Sequence, residues 1–174
     1  MPFDIRPIER NNPQELKLVA ERMGITLVEV LGEKTGRARY SAQWLLSRVK
    51  WHLDPSCCKG AIFVASDSDI LVGHTIVRVD VEENDQATGL FSTTYVVPRA
   101  RRFGVANALL LQGEQWMREQ GMSRAATNTS TQNLPLIRLY EKHGYKIVLE
   151  VPQDMMLRLE RQITTRDPQT GHRQ

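Results

Sequence analysis

The chain has 174 residues, 41% of them hydrophobic and 25% charged, which suits one globular domain with one sizeable core rather than two domains. Its net charge is +3, and basic and acidic residues are interleaved along most of its length, a pattern that favours a small anionic ligand and gives little support for nucleic acid. The N-terminus lacks the apolar core of a signal peptide, and no run reaches the ~20 apolar residues of a membrane span. The adjacent Cys57 and Cys58 suit neither a disulfide framework nor a zinc site, so we expect a cytoplasmic protein without a metal site.

The spacing of apolar residues alternates along the chain between the period of strands and the period of helices. It predicts the order β-α-α-β-β-β-α-β-α-β-β, which is a mixed α/β fold. The predicted elements are, in chain order, a strand at residues 3–9, helices at 14–31 and 41–53, strands at 61–66, 70–81 and 89–98, a helix at 104–121, a strand at 123–129, a helix at 134–144, and strands at 145–150 and 154–161.

Local signals set several of these boundaries. Asn12 and Pro13 are typical of a helix start. Residues 32–37, GEKTGR, lie between the first two helices and are expected to form a loop. From about residue 162 the chain is polar and rich in turn-forming residues. We therefore expect a single domain over residues 1–161 followed by a polar tail over residues 162–174.

Residues 96–116, VVPRARRFGVANALLLQGEQW, join a predicted strand to a predicted helix through a basic turn. A helix that starts at Gly104 leaves its first backbone N–H groups without partners, and the helix dipole adds positive charge there. Gly104 has no Cβ to hold a phosphate away from these amides, and Arg99, Arg101 and Arg102 add charge at the rim. The turn therefore predicts a pyrophosphate cradle, with a solvated basic turn as the alternative. It has neither the Gly-Lys-Ser/Thr ending of a P-loop nor the three glycines of a dinucleotide site.

This turn resembles the acyl-CoA motif of the GNAT superfamily of N-acyltransferases, V-x-P-x-x-R-x-x-G-x-G/A. The fixed positions of that motif fall on Val96, Pro98, Arg101, Gly104 and Ala106. A second segment, NLPLIRLYEKHGYKIV, resembles the other signature of the family at Asn133, Tyr140, Gly144 and Tyr145. The resemblance extends over most of the predicted domain. It implies a mostly antiparallel sheet of six to seven strands, with helices on both faces and a central pair of strands that splay apart.

The resemblance also implies how acetyl-CoA would bind as cosubstrate. The pantetheine arm would lie between the splayed strands and bond to the backbone of Tyr95, Val96 and Val97. The pyrophosphate would lie on the backbone amides of Phe103, Gly104, Val105 and Ala106, with Arg101 and Arg102 beside it. Asn133 would reach the pantetheine or phosphate arm. A simple cap for the helix that follows is the alternative interpretation of this asparagine.

Tyr140 is the catalytic residue that the resemblance implies, as the group that protonates the leaving thiolate of CoA. Transfer of an acetyl group to an amine needs a neutral amine, a backbone N–H for the oxyanion and a proton donor for the sulfur. A phenol with a pKa of ~10 keeps its proton at neutral pH and can serve as that donor. The alternative is a core aromatic residue that packs its helix on the sheet, on one face with Leu136 and Leu139.

The sequence does not identify the base that would neutralise the amine. Many relatives carry a Glu on the strand before the motif, but residues 89–97, GLFSTTYVV, contain no carboxylate. Two sets of candidates remain, a water chain held by the strand's hydroxyls or a titrating side chain on the preceding strand. These candidates are Ser92, Thr93 and Thr94 on the first strand, and His74, Asp80 and Glu82 on the second.

The sequence also leaves the identity of the acyl acceptor undetermined. Trp44, Arg48 and Trp51 are spaced to line one side of an acceptor pocket, although tryptophans at helical spacing usually pack in a core, and residues 33–40 are a candidate lip. The main hypothesis is an N-acetyltransferase that acts on a primary amine of a small molecule, peptide or protein. The alternatives are a non-catalytic acyl-CoA-binding sensor or partner-binding domain, which the missing carboxylate favours, and a transferase for aminoacyl groups on RNA. The resemblance adds a homodimer as an expectation.

Overall fold

The computed structural model describes residues 1–164 and contains, over that range, seven strands and five helices. The strands are β1 (Asp4–Pro7), β2 (Gly60–Asp67), β3 (Ile70–Val81), β4 (Ala87–Val96), β5 (Arg124–Ser130), β6 (Lys146–Val151) and β7 (Met156–Gln162). The helices are α1 (Pro13–Leu31), α2 (Glu33–Arg39), α3 (Ala42–Leu53), α4 (Val105–Glu119) and α5 (Leu134–Lys142).

The seven strands form one sheet in the order β1-β2-β3-β4-β5-β7-β6. All neighbours are antiparallel except β4 and β5, which run parallel and are joined through α4, because parallel neighbours need a crossover connection. The β4–β5 register covers only three pairs, from Gly89 with Ala125 to Phe91 with Thr127. Beyond Phe91 the two strands diverge, so the predicted splay in a mostly antiparallel sheet is confirmed.

Helices cover both faces of the sheet, as expected. On one face, α1 and α3 pack on β2 and β3 through Leu16, Val19, Leu45, Val49, Ile62, Val64 and Ile76. On the other face, α4 and α5 pack on β3 and β4 through Leu109, Met117, Ile137, Tyr140, Val77 and Phe91. Gly113 allows α4 to approach closely, because a Cβ at this position would lie 2.3 Å from Cε1 of Phe91.

The expectation of a loop at residues 32–37 was wrong, since most of this segment belongs to helix α2. The helix follows α1 directly after Gly32 and packs against it. A Cβ on Gly36 would lie 2.7 Å from backbone atoms of Leu27 and Val28, so this glycine lets two helix backbones come into contact. Packing against α1 therefore stabilises a helix that its own polar, glycine-containing sequence does not predict.

At the C-terminus, β7 extends to Gln162, and Ile163 is buried with its N–H bonded to the carbonyl of Ser123 at 2.9 Å. The packed chain thus extends two residues past the predicted boundary at 161. The rest of the predicted tail, residues 165–174, lies outside the described residues. Within residues 1–164, the helices are all too short or too polar to cross a membrane.

Candidate active site

The divergence of β4 and β5 opens a cleft of about 380 Å³ in the middle of the sheet. Helices α1 and α3 line the cleft from one face of the sheet, and α5 with its N-cap Asn133 lines it from the other face. The two arginines Arg48 and Arg78 line it, and among the described residues no Asp or Glu does. The cleft is therefore positively charged as well as partly apolar.

Tyr140 lies at the bottom of this cleft and is only 1% exposed. Its ring packs edge-on against Phe91 and Tyr145, with centroids 5.5 and 4.8 Å apart. Burial strongly raises the pKa of its phenol, although the hydroxyls of Thr127 and Thr94 beside it oppose this effect. The predicted catalytic tyrosine thus also packs in the core, and its hydroxyl remains a proton donor over the whole neutral range.

The turn after β4 leads to an uncapped helix end. Gly104 is the N-cap of α4 with φ of 84°, and within the described chain no side chain caps it. The first helical hydrogen bond runs from Ala108 N–H to Gly104 O at 3.0 Å, which leaves the amides of Val105, Ala106 and Asn107 free at the helix end. Apart from Gly104 and its two chain neighbours, no described atom lies within 4 Å of where a Cβ of Gly104 would stand, so the space at this helix end is open.

The two arginines predicted beside the pyrophosphate differ in their surroundings. Arg101 donates from Nε to the carbonyl of Val96 at 2.8 Å, pairs with Glu29 of α1 at 3.0 Å and lies 5.6 Å from the ring centroid of Tyr95. Its guanidinium therefore braces the turn against α1. Arg102 has a left-handed backbone, with φ of 67°, and is exposed next to Phe103, whose side chain is also exposed.

The strand edge between the cleft and this turn is open on one side. On the β3 side, Tyr95 pairs with His74 and Val96 with Gly73, and the N–H of Val97 bonds to the carbonyl of Val72 at 2.9 Å. On the β5 side, pairing ends at Phe91, and the next residues, Ser92, Thr93 and Thr94, line the cleft. The backbone predicted to hold a pantetheine arm, residues 95–97, follows directly after the strand residues that line the cleft.

Asn133 occupies the N-cap position of α5 and lines the cleft. Its side chain makes no capping hydrogen bond within the described residues. Asn133 thus holds the N-cap position of the alternative interpretation without making its capping bond, and the side chain remains available to a ligand in the cleft.

Ser92, His52 and Arg78 form a hydrogen-bonded group in the cleft wall. The register between β3 and β4 shifts at Ser92, which has no partner on β3, and such a bulge re-aims a side chain. Nδ1 of His52 lies 2.8 Å from the carbonyl of Arg48, which can only accept, so Nδ1 carries the proton. Nε2 of His52 then accepts from the Ser92 hydroxyl at 3.1 Å, and Ser92 Oγ accepts from Arg78 Nη1 at 2.9 Å. Burial lowers the pKa of His52 to about 4, so the ring is neutral.

The titrating residues proposed on β3 lie outside the cleft lining. His74 is fully buried, and neither of its ring nitrogens has a hydrogen-bond partner within residues 1–164. Burial lowers its pKa to about 3. Asp80 lies 3.9 Å from Arg78, and Glu82 pairs with Arg124 and Arg158 at 3.6 and 3.5 Å. Of the candidate bases, only the β4 hydroxyls of Ser92, Thr93 and Thr94 line the cleft.

Of the three residues of α3 expected at an acceptor pocket, Trp44 and Arg48 line the cleft and Trp51 does not. Trp44 is 43% exposed and stacks on Tyr40, with ring centroids 4.2 Å apart. Arg48 lies over the ring of Trp51, 3.7 Å from its centroid. The cleft lining includes Tyr40, Trp44 and Arg48. The end of the segment predicted as a lip, at Tyr40, therefore reaches the cleft.

Comparison with known proteins decides the family. A model of the acetyltransferase (GNAT) family matches residues 27–145, which is more than half of the chain. The chain belongs to this family. No curated protein matches it.

Solved structures give the same result for the fold of this GNAT domain. PaiA N-acetyltransferase from Thermoplasma acidophilum, in complex with coenzyme A, is 20% identical, with 93% of this chain and 99% of that chain covered and a TM-score of 0.70. The yncA structure from Salmonella typhimurium, with its cofactor acetyl-CoA, is 15% identical, with 97% and 98% covered and a TM-score of 0.73. A GNAT-family acetyltransferase from Staphylococcus aureus Mu50 is 14% identical, with 94% and 100% covered and a TM-score of 0.72.

The sequence analysis missed several residues of the GNAT cleft. His52, Arg78 and Thr127 line it, but each was assigned only to a helix or strand. A weak signal existed for His52, which lies one helical turn after Arg48 on α3. Its contact with Ser92 spans 40 positions and depends on the bulge in β4, which no local pattern indicates.

Proposed function

We propose that this protein transfers the acetyl group of acetyl-CoA to a primary amine. One observation carries the proposal: the open edge of β4 joins an uncapped helix end to a cleft with a buried phenol at its bottom. These features match the phosphate end, the arm and the thioester end of one extended ligand. The family supports acetyl transfer, and the amine as acceptor is part of the proposal.

The helix end suits the pyrophosphate of CoA. The free amides of Val105, Ala106 and Asn107 and the dipole of α4 attract an anion, and Gly104 leaves the space before them open. Arg102 is the exposed cation next to these amides, while Arg101 is engaged with Glu29. We therefore assign phosphate contact to the backbone and Arg102, and bracing of the turn to Arg101.

The open edge of β4 suits the arm of the cosubstrate. Pantetheine contains two amides, and an extended amide chain can pair with an unpaired strand edge as another strand would. Residues 92–96 provide that edge, apart from the carbonyl of Val96 that Arg101 occupies, because β5 leaves β4 after Phe91. The proposal places the arm there, with the thioester toward Tyr140 and with Asn133 within reach of the arm.

Tyr140 is proposed as the donor to the leaving sulfur. Its raised pKa keeps the phenol protonated, and the desolvation that raises it also disfavours a bare thiolate in the same cleft. Sharing the phenol proton with the sulfur therefore stabilises the departing group at the moment when its charge develops.

Ser92 and His52 are proposed as the exit for the proton of the amine. Ser92 Oγ uses its own hydrogen for His52 and one lone pair for Arg78, which leaves a second lone pair for an N–H of the acceptor or for a water. Because its lowered pKa makes His52 a weak proton acceptor, the ring holds the Ser92 hydroxyl in place and the amine proton leaves the Ser92 site through water. This route needs no carboxylate in the cleft.

The experiment is a matched pair of tyrosine variants. Tyr140→Phe removes a hydroxyl in the cleft, whereas Tyr145→Phe removes one from the adjacent ring, where it donates to Glu114 at 2.8 Å. We expect Tyr140→Phe to lower kcat by about 10²-fold with CoA affinity nearly unchanged. Tyr145→Phe should lower stability and leave kcat of the folded protein close to the wild-type value.

Release of CoA thiol across a panel of amines gives kcat, and calorimetric titration gives CoA affinity. Equal kcat for wild type and Tyr140→Phe, with chemistry limiting, would refute the role of this tyrosine. CoA binding without turnover of any amine would instead identify an acyl-CoA-binding sensor. Failure to bind CoA would refute the proposed function as a whole.

A further inference from the structure

Two arginines share one end of the cleft with little opposing charge. The guanidinium carbons of Arg48 and Arg78 lie 3.7 and 5.9 Å from the ring centroid of Trp51, so both cations lie against the same indole. Asp80 is 3.9 Å from Arg78, and within residues 1–164 no carboxylate lies within 4.0 Å of Arg48. Two half-buried cations that face a cleft without carboxylates attract an anion.

This cationic end lies close to the proposed reacting end. Arg78 donates to Ser92, and Ser92 is two positions before Thr94, whose hydroxyl lies beside Tyr140. Two positions along a strand, as from Ser92 to Thr94, span about 7 Å. A charge-assisted hydrogen bond from an arginine to the anionic group of the acceptor takes up about 3 Å of this distance. An acceptor that meets both ends therefore has its amine and its anionic group only a few bonds apart.

The wall of the cleft on the side of α1 is mostly apolar and aromatic, whereas the β5 side carries hydroxyl and amide side chains. Helix α1 contributes Met23, Leu27 and Val30, and the stacked pair of Tyr40 and Trp44 stands at the side. Such a wall suits an aliphatic or aromatic side chain. Among the described residues the cleft lining offers no carboxylate to pair with a second ammonium group, which the two arginines would also repel.

We infer that the acceptor is a small α-amino acid with an apolar side chain, whose carboxylate binds between Arg48 and Arg78. The inference rests on the proposed function and specifies its acceptor. It predicts that the enzyme selects against polyamines and simple alkylamines.

The test compares amines that differ only in the carboxylate. Phenylalanine is paired with phenethylamine and phenylalaninamide, and leucine with isopentylamine, while spermidine and O-phosphoethanolamine complete the panel. For each compound, kcat/KM is measured by release of CoA thiol, and binding is measured as the shift in Tm in the presence of CoA. We expect each amino acid to exceed its decarboxylated partner at least 10-fold in kcat/KM or in affinity.

Arg48→Gln is the diagnostic variant, because Arg78 also holds Ser92. It should reduce the preference for phenylalanine over phenethylamine by about 10- to 150-fold, mainly through the amino acid, because it removes a charge-assisted hydrogen bond to the carboxylate. Lys50→Gln is the control, because it removes the same charge from an exposed position of the same helix that does not line the cleft.

If CoA stabilises the protein but no amino acid is bound or acetylated better than its decarboxylated partner, the inference is wrong and the proposed function stands. Preference for spermidine or O-phosphoethanolamine would likewise overturn it. An unchanged preference in Arg48→Gln would refute the role of this arginine. Failure of CoA to bind, or binding of CoA without turnover of any amine, would count against the proposed function instead.

Discussion

Gly104 and Gly121 lie at opposite ends of α4. Alanine substitutions at these two positions separate a loss of folding stability, expected in both variants, from a loss of CoA affinity, expected only at Gly104. Both adopt left-handed backbone angles, with φ of 84° and 82°, and at both an added Cβ would meet open space. Alanine in this conformation costs about 1–2 kcal/mol of folding free energy. Because 1 kcal/mol shifts Tm by about 2–4 °C for a protein of this size, Gly104→Ala and Gly121→Ala should each lower Tm by roughly 2–8 °C without ligand.

The two variants should differ once CoA is present. At a CoA concentration of 100 times Kd, wild type and Gly121→Ala gain about 2.7 kcal/mol of stability. In Gly104→Ala the new methyl group stands between the phosphate and the amides of α4, and loss of one charged hydrogen bond costs about 1.5–3 kcal/mol. That weakens Kd about 10- to 150-fold, and a 100-fold loss leaves only about 0.4 kcal/mol of stabilisation at the same CoA concentration.

Thermal unfolding with and without CoA, on the three proteins in parallel, measures both costs. Calorimetric titration of CoA then gives Kd directly. A CoA-induced shift in Gly104→Ala as large as that in Gly121→Ala would refute phosphate binding at the start of α4. Unequal Tm values of Gly104→Ala and Gly121→Ala without ligand would instead show that alanine does not destabilise the two left-handed positions equally.

Two further predictions concern the histidines and Ser92. The folded-state pKa of His74, about 3, lies below its unfolded value of about 6.5, so the unfolded chain binds the extra proton. The free energy of unfolding therefore falls as pH drops from about 6.5 toward 3, by about 1.4 kcal/mol per pH unit. His52 adds the same trend down to about pH 4. Urea unfolding at pH 7 and pH 5 measures the loss of unfolding free energy between these two pH values. This loss should be about 2 kcal/mol smaller in His74→Leu than in wild type, and equal losses would contradict the buried, neutral state of His74. Ser92→Ala should lower kcat about 10- to 100-fold at neutral pH with little change in CoA affinity. In a pH profile, this loss of kcat should shrink as pH rises and the amine becomes neutral. A loss of kcat that is independent of pH would contradict a proton path through Ser92.

Much of the fold could be predicted because local patterns agree with it. Asn12 accepts from the amides of Gln14 and Glu15, as its place before Pro13 indicates, and the alternating strands lie within a few residues of their predicted limits. The glycine of the basic turn also lies where the helix-start pattern predicts, at the N-cap of α4. These features depend on neighbours in sequence.

Other features depend on contacts that a sequence pattern does not reveal. Helix α2 packs on α1 because Gly36 lets the two backbones touch, whereas the polar Gly-Glu-Lys-Thr-Gly stretch of residues 32–36 indicates a loop on local grounds. The side chain of Arg101 is engaged by Glu29, which is 72 positions away. The group formed by Ser92 and His52 needs a bulge in one strand and a helix from another part of the chain.

The order of the strands has a consequence for how the chain folds. From β1 to β5 the order in the sheet follows the order in the sequence, so β2, β3 and β4 can associate as successive hairpins that close only short loops. Short loop closures cost little entropy and favour fast folding. The seam between β4 and β5 needs the whole length of α4 to be in place and is secured by three residue pairs. The part of the sheet that opens to form the cleft is thus also where the two halves of the molecule have least backbone pairing to hold them together.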